Sequence, residues 1–300
     1  MSVATRYRIH HATTYEYTAD VVHAHHLLHL QPRAMAHQSC SAYSIRIEPT
    51  PSLENAGSDA FGNPVTRLEL NRPHRRFAVA VDMVVEVAPR HPPAEHQGDS
   101  WERARNRLAY VARPPGNDKL EALRYRSESP HVRIKQVFTE YAADCFTGGR
   151  TILQAAEALM RKLHAEMTYV PGATSVNTSV LDVLRTKRGV CQDYAHLMIA
   201  CLRSRGLAAR YVSGYLRTVP RTGEARLLGA DASHAWVAVW CPRAGWVEFD
   251  PTNGVYAGID HVALAWARDF GDVSPLRGVI LGGGQHTLKV AVSVERAAEA

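Results

Sequence analysis

The chain lacks the features that mark several large protein classes. Its 300 residues hold only five cysteines, at positions 40, 145, 191, 201 and 241. The number is odd and the spacing wide, which excludes a disulfide framework and a zinc-knuckle pattern. No stretch approaches the ~20 apolar residues that a helix needs to cross a bilayer, so no membrane partner is expected. The opening MSVATRYRIHHATTYEY has no apolar run behind a basic start. No secretory signal is read there, and the expected compartment is the cytosol. Repeats and low-complexity tracts are absent. The net charge of +6 is spread along the sequence, with only short clusters such as HRR. Without a concentrated phosphate-facing stripe, nucleic acid is not an expected partner.

What is present reads as two regions. The first ninety residues carry β-rich runs, YRIHHATTYEY, SAYSIRIEP, VTRLEL and RFAVAVDMVVEV, broken by Pro, Gly and Asn, with DAFGN as a turn. Short strands at this spacing predict a β-sandwich. A proline-rich segment follows, and then the period becomes helical. Thr151 and Gln154 form a capping box ahead of an apolar stripe at Ile152, Leu153, Ala156, Leu159, Met160 and Leu163. A short helix is expected over SVLDVLRTK and another from Cys191. Strands return in AARYVSGYL, HAWVAVW, GWVEFDPT and, near the end, TLKVAVSV. The fold class is therefore α+β, with a β-rich domain over 1–112 and a second domain of helices and antiparallel sheet over 113–300.

The chemistry gathers in RGVCQDYAHLMIACL. Gly189 permits a tight turn, and Cys191 falls at the start of a helix, where unsatisfied N–H groups and the dipole favour negative charge on sulfur. The same amides suit a developing oxyanion. A nucleophilic cysteine also needs a base and a group to orient that base. SHAWVAVWCPRAGWVEFDPTNG offers both. A hairpin loop over CPRAG pairs Trp240 with Trp246 and Trp236 with Asp250, leaving His234 diagonal to Asp250 on one face. A three-residue loop puts the two directly opposite, and a four-residue loop separates them.

The blocks RGVCQDYAHL, SHAWVAVW and GWVEFDPTNG closely resemble the bacterial transglutaminase-like superfamily. IHHATTYEY, LHLQPR and DAFGNPV are similar to the N-terminal domain of its bacterial members, and DHVALAWARDFGDVSPLRGV to their C-terminal segment. The resemblance implies a papain-like cysteine proteinase core with helices packed on an antiparallel sheet. It also implies a catalytic triad carried by Cys191, His234 and Asp250, with no metal or organic cofactor. The expected substrate is a peptide or protein amide. Departures from the family pattern fall at Ala238, where an acidic residue is common, and at Trp266 and Ala267, where a small pair is usual.

Other residues carry alternatives. Gln192 and Tyr169 are candidates for oxyanion or substrate contact beside the Cys191 amide; Trp236 is a candidate for substrate contact as a wall of the cleft, or else fills the core beside the triad. Asp193 suits neutralising Arg188 or capping the helix better than proton transfer. His23, His25 and His29 share a strand face, but no carboxylate stands close in sequence, so a plain surface strand is expected. The loop VPRTGEARLLGADAS, ahead of His234, is long enough to gate a site.

Overall fold

The computed structural model describes residues 4–91, 93, 98–109, 116–217 and 233–297. Its architecture is α+β, built on two antiparallel sheets. One organises around a single 24-residue strand, Thr5–Leu28, whose register breaks between Glu16 and Val21. On one side this strand pairs with His74–Val87 and then Pro64–Leu70; Gln38–Glu48 and Leu53–Ser58 extend those pairings outward. On the other side it pairs with His286–Arg296 and then Leu276–Gly282. The strand is too long for one partner per edge, and the shift in register lets two pairs of strands share it while the sheet curls. Alternation sets the faces: Phe77, Val79, Val81, Met83, Val85 and Val87 are buried, with less buried residues between them.

The strand containing TLKVAVSV thus completes the N-terminal sheet, although the sequence reading placed it in the second domain. Its pattern specifies a strand with one buried end, and nothing local specifies which open edge accepts it.

The second sheet has the order Val255–Tyr256, Gly245–Asp250, Ser233–Cys241, Ala209–Leu216, His261–Ala267. Its three central strands are buried almost throughout, and the helix Cys191–Ser204 packs on Ser233–Cys241 and Ala209–Leu216. From Asp193 to Arg203 every residue of that helix is buried, because the helices Gln136–Tyr141, Ile152–Glu166 and Val180–Thr186 cover its other faces. The capping box at Thr151 and Gln154 forms, and all six apolar-stripe residues of the following helix are buried. Gly214 is needed where Trp236 crosses the sheet: a Cβ there would stand 2.1 Å from the Val262 carbonyl and 2.6 Å from the indole.

Side chains from the first sheet cover the edge strand His261–Ala267. Gln38 both donates to and accepts from the Ala263 backbone at 2.8 Å, and Asn63 does the same for Trp266 at 3.0 and 2.9 Å. Two buried amide side chains thereby replace a missing neighbour strand. Trp266 lies between the guanidiniums of Arg33 and Arg210, 3.6 and 3.7 Å from its ring centroid. The bulky residue at this departure from the family pattern is thus held between two cations at the junction of the sheets.

Candidate active site

A two-residue parallel pairing, Thr168–Tyr169 with Arg188–Gly189, delivers the chain to the helix that begins at Cys191. Val190 is its N-cap and has no side-chain acceptor to offer. Asp193 compensates by reaching back, accepting the Val190 N–H at 2.7 Å and the Thr174 hydroxyl at 2.6 Å. This is the capping role expected of Asp193. Burial pushes its acid up, against the opposing pull of those two bonds. Gly189 serves a different purpose from the tight turn read in the sequence: a Cβ there would meet the Asp193 carboxylate at 2.5 Å. The left-handed residue is Lys187, with φ 53°.

Cys191 is half-buried at the first helical position, where its N–H has no acceptor within the helix. Beside it stands His234, the second residue of its strand, close enough for the cysteine to favour its protonated ring. The other ring nitrogen, Nε2, lies 2.7 Å from Asp250 Oδ2. The hairpin register explains the approach. Trp240 pairs with Trp246 and Val237 with Phe249, so Asp250 comes opposite Trp236 and His234 sits diagonally on the same face.

Both oxygens of Asp250 are fully committed. Oδ1 accepts the N–H groups of Thr252 and Asn253, closing the turn after the strand. Oδ2 accepts Asn253 Nδ2 at 2.6 Å, His234 Nε2 at 2.7 Å and His261 Nε2 at 3.1 Å. One residue therefore caps the turn and holds the histidine. Its 0% exposure pushes the acid up, but the hydrogen bonds from the two histidines outweigh burial and hold it well below the usual carboxylate range. For His234, burial opposes protonation. Hydrogen bonds to Asp250 and Cys191 overcome it and raise the imidazole to about 9. At neutral pH the ring is then protonated, carrying a hydrogen toward each neighbour.

His261 is the site residue that sequence reading missed. It lies 5% exposed at the start of the edge strand, and its Nδ1 accepts the Gly258 N–H at 3.1 Å. That bond leaves the hydrogen on Nε2, which donates to Asp250. Neither its strand, buried almost throughout, nor the neighbour it meets across the fold was read from the sequence. His234, Asp250 and His261 offer ligand atoms within 4.8 Å of one another. The histidine hydrogens already fill the space between them, so a cation there would have to displace both.

The remaining expectations divide. Gln192 is half-buried beside Cys191. Tyr169 is 50% exposed next to Gly189, and burial together with the nearby Cys191 raises its phenol. Of the two readings of Trp236 the structure gives the core, not the substrate contact: it is 0% exposed, and its Nε1–H is spent on Glu248 at 2.8 Å. It cannot wall a cleft, and instead packs behind His234 and His261, with ring centroids 6.1 and 5.2 Å away. Glu248 is itself buried and paired with Arg90 at 3.0 Å. Burial pushes the Cys145, Cys201 and Cys241 thiols up, Cys145 to about 12. His196 accepts the Phe270 N–H inside the core, and burial holds it down to about 3. Of the loop read as a gate, all but Ser233 lies outside the described residues.

Residues 7–86 match the bacterial transglutaminase-like N-terminal region, and residues 139–251 match the transglutaminase-like superfamily. An uncharacterized protein of Mycobacterium tuberculosis is 35% identical over 98% of this chain and 93% of its own length. A protein-glutamine gamma-glutamyltransferase of Pseudomonas aeruginosa is 35% identical over 33% of this chain and 15% of its own. A solved structure from Cytophaga hutchinsonii, described as a candidate cysteine protease, superposes with a TM-score of 0.76 at 20% identity, covering 100% of this chain and 93% of that one. The cysteine at a helix start, the buried histidine beside it and these matches lead to one assignment: the chain belongs to the bacterial transglutaminase-like superfamily of cysteine-dependent enzymes.

Proposed function

We propose that this protein cleaves amide bonds of peptides or proteins through an acyl-thioester on Cys191, with His234 and Asp250 completing a catalytic triad. The observation that carries the reading is the continuous chain from a half-exposed sulfur, through the His234 ring, to a carboxylate 2.7 Å from Nε2. His234, raised to about 9, takes the thiol proton and holds it. The sulfur adds to the amide carbonyl, and the Cys191 N–H stabilises the oxyanion. The imidazolium then protonates the departing amine. Asp250 keeps the ring oriented and compensates its charge without taking up a proton itself, consistent with its strongly lowered acid.

Release of the acyl group by water makes the protein a protease or amidase, and release by an amine makes it a transglutaminase. The solvent exposure of Cys191 supports hydrolysis. The partial similarity to a protein-glutamine gamma-glutamyltransferase supports the amine as the second reading. The test is iodoacetamide labelling of the native protein across pH, mapped by mass spectrometry, beside His234→Ala. Fast labelling of Cys191 below about pH 7 that disappears in the variant supports the triad. Labelling no faster than an ordinary thiol of pKa about 8.5 overturns it in favour of a non-catalytic peptide-binding module. Glutamine-peptide turnover with and without an added primary amine then separates hydrolysis from transfer.

A further inference from the structure

The N-terminal sheet carries a second histidine–carboxylate cluster, remote in sequence from Cys191. His23 and His25 stand two residues apart on the long strand, so both rings leave the same face. Their Nε2 atoms are 2.8 Å apart. A carboxylate arrives from another strand: Glu69 on Pro64–Leu70 is the direct cross-strand partner of His25. One donor atom from each of the three lies within 4.8 Å of the other two.

His29, by contrast, leaves the group. The strand ends at Leu28, and His29 is buried between Asp59 and the Ser274 carbonyl. His26 faces the interior and stacks on Phe77 with ring centroids 4.2 Å apart. The four nearby histidines of HAHHLLHL thus separate into two that support the core and two that meet a carboxylate at the surface.

We propose that His23, His25 and Glu69 form a three-ligand site for a first-row divalent cation of the zinc type. Two imidazole nitrogens that face each other can share only one hydrogen, and a carboxylate beside them adds a third acceptor. A single cation satisfies all three at once. Ligands on a tetrahedral zinc ion, each ~2.0–2.2 Å from the metal, stand ~3.3 Å apart, within the span the three atoms already occupy. Small rotations of half-buried or exposed side chains complete the fit, leaving a fourth position for water.

The surroundings favour a cation as well. Asn71 Nδ2 donates to Glu69 Oε1 at 3.0 Å and orients the carboxylate, as outer partners of metal ligands do. The two guanidiniums on this face are engaged elsewhere: Arg67 reaches the Ser58 carbonyl and Arg277 the Gly271 carbonyl. Backbone pairing also fixes the ligands, His23 with Leu281 and His25 with both Val279 and Glu69.

The test titrates Zn²⁺ into the full-length protein by calorimetry, in a Cys191→Ala background so that the thiol does not compete. The proposal expects one equivalent bound and a Zn²⁺-dependent rise in Tm. Both should be lost, with affinity at least ~100-fold weaker, in His25→Ala and in His23→Ala, and weakened ~10-fold or more in the isosteric Glu69→Gln. These side chains support little of the core, so the variants should melt like their parent without zinc. No binding to the Cys191→Ala protein, or binding unchanged by both histidine substitutions, overturns the proposal.

Discussion

Two clusters of two histidines and one carboxylate stand on the two sheets of this protein, and their environments give them different chemistry. His234, Asp250 and His261 are 9, 0 and 5% exposed, and each of the three makes a short bond to another member. Burial there leaves no polar atom free to wait for a ligand, so the carboxylate is saturated and its proton affinity collapses. His23, His25 and Glu69 lie at the surface, where the same groups keep one face open to solvent. The interactions with Asp250 and Cys191, working against desolvation, make the first cluster a device for holding a proton on His234. Solvent access leaves the second free to exchange hydrogen for a cation.

The sharpest way to separate the two is to remove the nucleophile. Cys191→Ala should abolish amide turnover, by ~10⁴-fold or more, while substitution of His23 or His25 leaves turnover within about twofold. A released-amine assay checks both, and equal losses would collapse the distinction between the clusters. Next in size is Asp250→Asn, expected to lower kcat by ~10²–10⁴-fold. It removes the charge that raises His234, so the alkaline limb of the kcat/KM profile should move from near pH 9 to lower pH. An unmoved limb would break the electrostatic account of His234.

His261→Gln removes one donor from Asp250 without reaching the sulfur. We expect kcat to fall ~10-fold with KM nearly unchanged, the magnitude typical of a lost outer partner. A KM effect alone would assign His261 to substrate binding. Folding stability supplies a further contrast. His234 is raised on folding, so its contribution is complete below about pH 6.5 and is lost as pH rises through about 9. Asp250 is lowered, so its contribution is present above about pH 3.9 and disappears only in acid. Thermal melts of the wild type and of His234→Gln across pH 6 to 10 should therefore converge at the alkaline end. Last, Gln38→Ala leaves a buried backbone N–H and C=O of Ala263 without partners, costing about 1–3 kcal/mol per group in chemical denaturation, with turnover kept where the protein stays folded.

The legible part of the site was that carried by local pattern. The position of Cys191 follows from a glycine, a helical apolar period and its place at the helix start. His234 and Asp250 follow from alternation through a short hairpin, and the observed register of Trp240 with Trp246 is the one that sets them diagonal. Alternation left Trp236 between cleft wall and core, because it tells which residues share a face and not how deeply that face is buried. His261 escaped because its partner lies across the sheet edge, where no sequence period reaches.

The sequence by itself determined the strands that carry His234 and Asp250, the capped helix after Thr151 and the start of the helix at Cys191, since each depends on neighbours within a few residues. Only the tertiary structure decided that the last strands close the first sheet, that Gln38 and Asn63 cap the edge of the second, and that Glu69 meets His25. The physical reason is common to all three. Backbone groups and polar side chains at an open strand edge accept any partner of suitable geometry, and the choice among partners is made by packing of the whole chain.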